Sequence, residues 1–313
     1  MTMTLRATAP MAAVLAILFA VGCGARPVPI ESDLGPRCAW RPMASPTTAI
    51  LYDVCGRAAD DIYAAGKHNT LIHFDGKHWR AVPTPPGVKG VDLRVTCTAN
   101  AVVVLGETAT LLSADTWTLL PPRFRPIWGG LSSAWIETPD RIYFGTYQNG
   151  LLLFEHGRWR QTYTSDSGIS NLAGTPSGQV VATSEPGIIM HFDGVRWKQV
   201  ETGTQDYYPS VWGRDDLGFY IVAVHGKVLH YDGKVLRTIF DISLPYSMVD
   251  VWGTAADNIY VVGKGIWHFD GATWTQVFPH DGIVFDSIWG TGPANIFAVG
   301  HNGRILRYTC RGS

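Results

Sequence analysis

Val251-Trp252-Gly253, then Asn258-Ile259-Tyr260-Val261-Val262-Gly263, then His268-Phe269-Asp270-Gly271 and Trp274: this stretch carries four short apolar segments separated by turn residues. Segments of four to six residues bounded by Gly, Asp and Asn are too short for helices and read as strands. The first ends at the Trp-Gly pair, the second is Ile-Tyr-Val-Val-Gly, the third ends in His-Phe-Asp-Gly, and the fourth begins at the Trp three residues on. The Asp-Gly step is a hairpin signal, because glycine tolerates the positive φ that such turns need. The unit is a four-stranded antiparallel meander.

The unit recurs along the chain. One copy has Val54-Cys55-Gly56, Ile62-Tyr63-Ala64-Ala65-Gly66, His73-Phe74-Asp75-Gly76 and Trp79; another has Ile288-Trp289-Gly290, Asn295-Ile296-Phe297-Ala298-Val299-Gly300 and Ile305-Leu306-Arg307-Tyr308. Further copies open at Ile127-Trp128-Gly129, Leu172-Ala173-Gly174 and Val211-Trp212-Gly213, and a degenerate one holds Val102-Val103-Val104-Leu105-Gly106 and Trp117. The 273 residues from Cys38 to Cys310 divide into seven units of 39. Four antiparallel strands at a period near ~40 residues make a propeller blade, so the expected fold is all-β, a seven-bladed β-propeller.

The last copy lacks its outer strand, and Cys38-Ala39-Trp40-Arg41-Pro42 resembles it. The N-terminal strand is therefore expected to complete the last blade and pair its open edge. This alignment sets Cys38 and Cys310 side by side across a hairpin and predicts a disulfide between them, with a chain-entropy contribution of about 4 to 5 kcal/mol. Cys55 and Cys97 end inner strands of the first two blades and suggest a second bridge. Four cysteines allow three pairings, so the sequence leaves the connectivity open. They have no C-x₂-C spacing, and zinc is not expected.

The first 25 residues carry one charge, Arg6, and Met11 to Val21 is almost wholly apolar. This run is short for a membrane span and suits a signal-peptide core. It ends in Ala20-Val21-Gly22-Cys23, which resembles the bacterial lipobox and makes Cys23 the expected lipidation site. Residues 1–22 then form a lipoprotein signal peptide, 23–37 a lipidated Pro-rich tether and 38–313 the propeller. Gly24 in place of Asp favours the outer membrane as the location. A formal net charge of -1 argues against nucleic-acid binding and against charge-driven adsorption to a bilayer.

Repeats of the form V-W-G, I-Y-x-V-G and H-F-D-G-x-x-W resemble those of bacterial extracellular propeller proteins, often lipoproteins and abundant in myxobacteria. The resemblance covers roughly residues 48 to 310. It implies the fold and an envelope location and implies no particular activity. An Asp box of sialidase type is excluded, because Asp75-Gly76, Asp193-Gly194 and Asp270-Gly271 have no residue between Asp and Gly.

No nucleophile elbow, H-E-x-x-H or acidic calcium loop occurs in the sequence, so neither catalysis nor a metal or other cofactor is expected. His73, His191, His230 and His268 take one position in four blades and are spread round the ring, which predicts structural roles. The Trp-Gly tryptophans Trp128, Trp212, Trp252 and Trp289 are expected to wedge between neighbouring sheets. Asp60-Asp61 and Asp215-Asp216 read as turn residues rather than paired catalytic carboxylates. What escapes the repeat are the loops from one blade's outer strand to the next inner strand. These loops hold Phe124, Arg125, Asp206, Tyr207, Tyr208, Tyr246 and His280, the expected partner-binding face. The functional expectation is a non-enzymatic envelope lipoprotein that binds a protein or glycan. A carbohydrate-active hydrolase or lyase and a structural subunit of a secretion or motility complex are the alternatives.

Overall fold

Four blades repeat the same local logic in the hairpin turn between their third and outer strands. In the turn after β24 (Gly265–Phe269), Gly271 has φ +92°, and Asp270 Oδ1 accepts the N–H groups of Ala272 and Thr273. Asp thus closes an Asx-turn, while Gly takes the backbone conformation that other residues resist. The same arrangement recurs at Asp75, Asp193 and Asp232.

The computed structural model describes residues 38–88, 90–120, 130–242, 248–279 and 282–310. Cys23, the signal segment and the tether lie outside them. Twenty-eight strands, β1 to β28 in chain order, form seven four-stranded antiparallel sheets among the described residues. The first blade is β2 (Leu51–Ala58), β3 (Asp61–Gly66), β4 (Thr70–Phe74) and β5 (Trp79–Ala81). The seventh is β26 (Phe285–Gly292), β27 (Asn295–Gly300) and β28 (Ile305–Cys310), completed by β1 (Cys38–Pro42). The fold is the expected seven-bladed propeller, closed by its N-terminal strand. Cys38 pairs in register with Cys310, and the two are disulfide-bonded.

Second strands are buried along nearly their whole length, as Ile62–Gly66 and Ile296–Gly300 show, because each sheet is covered on both faces by its neighbours. Outer-strand tryptophans rest edge-on against the blade before them. Trp79 meets Phe297 at 79°, Trp197 meets Tyr143 at 76° and Trp40 meets Tyr260 at 80°. Their buried indole N–H groups have no hydrogen-bond partner.

Inner strands lock by a different rule. The tryptophan of one blade lies over the glycine of the next. A Cβ added at Gly253 would stand 3.3 Å from Trp212, at Gly290 2.8 Å from Trp252, and at Gly56 2.7 Å from Trp289. The expected wedge is therefore correct for Trp212, Trp252 and Trp289; Trp128 lies outside the described residues. The third copy needs a correction. Its inner strand is β10 (Leu131–Thr138), not a strand at Ile127-Trp128-Gly129, and Trp135 takes the wedge position, pairing with Tyr143 as Trp252 pairs with Tyr260. The misreading arises because Trp and Gly of the dipeptide serve different joints. Trp135 needs a glycine in the fourth blade, and it has Gly174, whose added Cβ would stand 2.5 Å from its ring. Its own neighbour Ile136 faces the second blade, where Thr96 replaces Trp, so no glycine is required there.

The first joint is closed covalently. Cys55 pairs with Tyr63 and so holds the tryptophan position of the first blade; Cys97 pairs with Val102 and holds the glycine position of the second. They are disulfide-bonded, with Cα atoms 5.5 Å apart.

Candidate partner-binding site at the channel mouth

Antiparallel order sorts the connections onto two faces. Loops from outer to next inner strand, and from second to third strand, share one face, here the mouth face. The remaining turns, with Cys38 and Cys310, share the opposite turn face. Five inner strands carry a bulge on entering the ring, at Tyr52, Ser132, Ser170, Val249 and Asp286. A bulge re-aims one side chain. All of these except Tyr52 line a central cavity of about 260 Å³ to which all seven blades contribute.

One step further in lies a ring of polar residues: Asp53, Arg94, Ser133, Asn171, Ser210, Asp250 and Ser287, which pair with Ala65, Leu105, Gly145, Thr183, Val222, Val262 and Val299. They stitch blade to blade. The Val95 N–H donates to Asp53, the Ile288 N–H to Asp250 and the Val54 N–H to Ser287. Ser210 donates to Asp250 Oδ1 at 2.6 Å, and Asn171 donates to Ser210. Inner strands run side by side without a sheet between them, so these side chains satisfy backbone donors that no ladder reaches. The sequence reading missed this ring, although its signal is plain. A polar residue stands three places before each glycine, in Asp53-Val54-Cys55-Gly56 and Asp250-Val251-Trp252-Gly253 alike.

The ring carries unequal charge. Arg94 pairs with Asp53 at 3.3 Å and lies 4.8 Å over the Tyr52 ring. Burial opposes its charge, but Asp53 and the Tyr147 hydroxyl override that and hold its pKa above the ordinary value. Burial pushes Asp53 up, against Arg94 and the Val95 N–H. Asp250 is pushed up to about 6 by burial, despite hydrogen bonds from Ser210, Ile288 and Ser287. Asp286 rises to about 6, again through burial, with His301 and Arg94 opposing and Asp53 and Asp250 reinforcing the shift. Its Oδ2 is buried with no hydrogen-bond partner, and His301 Nε2 stands 3.6 Å away. Among the described residues, no group of His, Cys, Asp or Glu converges as a metal site.

Of the expected face residues, Tyr207 lines the cavity. Asp206 forms an ion pair with Lys227 at 2.9 Å. Tyr208 is a correction: it is fully buried, and its hydroxyl is 2.9 Å from Thr204 Oγ1. It packs with Val181, Val211 and Ala173 in the core joining the fourth and fifth blades, where Ala173 stands in place of a tryptophan. An aromatic outside the repeat was therefore filling a joint rather than meeting solvent. Phe124, Arg125, Tyr246 and His280 lie outside the described residues. Tyr147, 44% exposed, and Val91, 73% exposed, share the mouth face and were not foreseen.

The repeat histidines have local structural partners. His73 sits 2.8 Å from Asp61 with its ring 4.6 Å from Tyr63, and His268 sits 2.8 Å from Asn258 with its ring 4.4 Å from Tyr260. His230 donates to the Leu217 carbonyl, and His191 lies between the Tyr231 hydroxyl and Gln179. Of the acidic pairs, Asp60, Asp215 and Asp216 are turn residues, whereas Asp61 opens β3; Asp61 is held by Arg57 and Asp216 by Arg214.

No protein-family model matches the chain, and no curated protein matches its sequence. Solved structures do match in fold. A structure described as YCF48 bound to D1 peptide has a TM-score of 0.68 at 20% identity, covering 86% of this chain and 96% of that one. YCF48 from Cyanidioschyzon merolae has a TM-score of 0.70 at 15% identity, over 87% and 98% of the two chains. The WD40 β-propeller domain of Doa1 has 0.70 at 13% identity, over 87% and 97%. Identities this low carry the architecture alone, and this chain is similar to those proteins as a seven-bladed propeller.

Proposed function

We propose that this chain is a non-catalytic, lipid-anchored scaffold of the cell envelope that binds a protein partner at its channel mouth. The observation that carries the reading is the mouth itself, a cavity walled by all seven blades and lined by Tyr207, with Val91 and Tyr147 exposed in loops of the same face. Aromatic side chains around a concavity are a frequent basis of recognition. The mouth carboxylates support a binding role rather than a catalytic one, since Asp53 and Asp250 are committed to holding neighbouring blades together. The similar fold of YCF48, which binds a D1 peptide, supports a peptide or protein as the partner. Cys38, where a tether from a lipidated Cys23 would join the propeller, lies on the turn face.

The test is site-specific photo-cross-linking in living cells, with benzoylphenylalanine at Val91, Tyr147 or Tyr207 of the full-length protein. Val195, 86% exposed in a turn on the opposite face, is the control position. A defined protein adduct from the mouth positions and none from Val195 is expected. Adducts from Val195 alone, or from no position, overturn the reading and move the inquiry to glycans.

A further inference from the structure

Ring closure leaves one pair of arginines without a counterion. In the first, fourth and fifth blades the residue after the outer-strand tryptophan (Leu236 in the fifth) is basic, and the aspartate of the adjoining Asp-Gly turn neutralises it. Asp75 holds Arg80 at 3.1 Å, Asp193 holds Lys198, and Asp232 holds Arg237 at 3.1 Å. Arg41 is the equivalent residue of the seventh blade, since it follows Trp40 as Arg80 follows Trp79. That blade has no such turn. Its outer strand comes from the N-terminus, and the Cys38–Cys310 disulfide joins the two strands where the Asp-Gly turn stands elsewhere. Arg41 therefore lacks the aspartate its counterparts have. The residue opposite it also differs: Arg80, Lys198 and Arg237 pair in register with histidines, whereas Arg41 pairs with Arg307. Like charges directly opposite on two strands repel each other.

Arg307 is positioned without being neutralised. Its guanidinium carbon lies 5.3 Å from the centre of the Phe297 ring and 5.6 Å from that of Phe74, between the seventh blade and the first. Its Nε donates to Asn295 Oδ1 at 2.8 Å, which orients the guanidinium and leaves the two terminal nitrogens without a partner among the described residues. Burial pushes its pKa down and no carboxylate opposes the shift, whereas Arg214, held by Asp216, is raised. Arg160 of the third blade supplies the contrast. It follows Trp159 across a His-Gly turn and also lacks the aspartate, but it is exposed and stands opposite Leu153, so its charge meets water and no second cation.

Two guanidiniums side by side suit an oxyanion with more than two oxygens. One arginine already satisfies both oxygens of a carboxylate, whereas a phosphate has oxygens for both arginines. We propose that Arg41 and Arg307 form a binding site for a phosphate group at the outer edge of the seventh blade. Free phosphate and the headgroup of an anionic phospholipid present the same chemistry. Cys38, where the tether would join, stands three residues before Arg41 in the same strand, about 10 Å along it, so the site lies close to the point of attachment. A headgroup as the source rests on the lipid anchor of the scaffold reading; the site itself does not. A chain of net charge -1 has no bulk attraction to a bilayer, so a preference for an anionic headgroup would have to come from a local site of this kind.

The test is isothermal titration calorimetry on the full-length protein in detergent at constant ionic strength, with two ligands: inorganic phosphate and the short-chain lipid dihexanoyl phosphatidylglycerol. Each is titrated into wild type, Arg41→Gln, Arg307→Gln and Arg80→Gln. At least one ligand should bind. Arg41→Gln and Arg307→Gln should each weaken that binding at least about tenfold, and Arg80→Gln should leave it unchanged. Binding of the lipid alone, lost in the same two variants, assigns the site to a headgroup; binding of inorganic phosphate alone assigns it to the free ion. No binding of either ligand, binding that survives both substitutions, or an equal loss in Arg80→Gln overturns the proposal. Circular dichroism checks the fold of each variant, and Arg41, exposed on an edge strand, keeps the test open should Arg307→Gln fail to fold. Photo-cross-linking at the mouth reads the scaffold separately. Adducts that persist while phosphate fails leave that reading standing, and phosphate binding without adducts leaves this site standing.

Discussion

Two joints of the same ring are built differently. Between the sixth and seventh blades, Trp252 lies over Gly290; between the first and second, Cys55 is bonded to Cys97 at the corresponding positions. Register fixes the equivalence, since Trp252 pairs with Tyr260 and Cys55 with Tyr63. One joint holds by shape and buried area, the other by a covalent bond that requires an oxidising compartment. The position in the fold specifies contact across the gap and leaves its chemistry free.

The comparison breaks most severely at the tryptophan. Trp252→Ala removes a side chain that is 7% exposed and packed in the core of the last two blades. It should cost about 4 kcal/mol, read as a fall in the denaturant midpoint. Hydrogen exchange should show β26 opening before the rest of the ring.

Removing the other joint should cost somewhat less. Cys55→Ala with Cys97→Ala releases a link across a sequence separation of 42 residues. A loss of about 3 kcal/mol is expected under oxidising conditions and none relative to reduced wild type. The sharper form is the exchange Cys55→Trp with Cys97→Gly, which writes the usual joint into the first blade. If the positions are equivalent, this variant recovers part of the loss and becomes insensitive to dithiothreitol. A variant no more stable than the double alanine would break the equivalence.

Glycine's share of the joint is smaller and separable. At Gly174 the nearest atoms to an added Cβ all belong to the Trp135 ring. Gly174→Ala should cost about 2 kcal/mol in the wild type and much less in a Trp135→Ala background, a coupling that a double-mutant cycle measures.

These joints also show why some of the molecule could be read in advance and some could not. Period, Asp-Gly turns and the displaced outer strand at Cys38–Pro42 are local patterns repeated often enough to reveal the fold and its closure. The Trp-Gly dipeptide misled in the third blade, because its two residues answer to different neighbours and adjacency in sequence hides that. Tyr208 misled for the converse reason: its burial depends on Ala173 in another strand, which no local pattern reports. The polar ring was legible but unread, since Asp, Arg, Ser and Asn share no residue type, only a position. The charge imbalance at Asp286 exists only once the seven blades close, and no linear pattern contains it.

That imbalance makes the smallest prediction and ties stability to the candidate site. Asp286 titrates near 6 in the fold because burial disfavours its charge, whereas an unfolded aspartate titrates near ~4. Between those values the folded chain holds a proton that the unfolded chain has lost, so this residue's contribution to stability improves as pH falls. Above 6 the carboxylate is ionised in both states and its burial penalty is complete; below ~4 it is neutral in both and the penalty is gone. Asp286→Asn should therefore be more stable than wild type by about 1 to 2 kcal/mol at pH 7.5, with the gain vanishing by pH 4. The difference between the two chains is the quantity to measure, because turn carboxylates such as Asp193, held low by Lys198 and backbone N–H groups, weaken both chains alike in acid. A constant gap across pH would mean that Asp286 is not charged at a cost. A gap that closes with acid would mean that the fold holds a negative charge at its mouth at a cost, with His301 Nε2, 3.6 Å away, leaving part of that cost unmet.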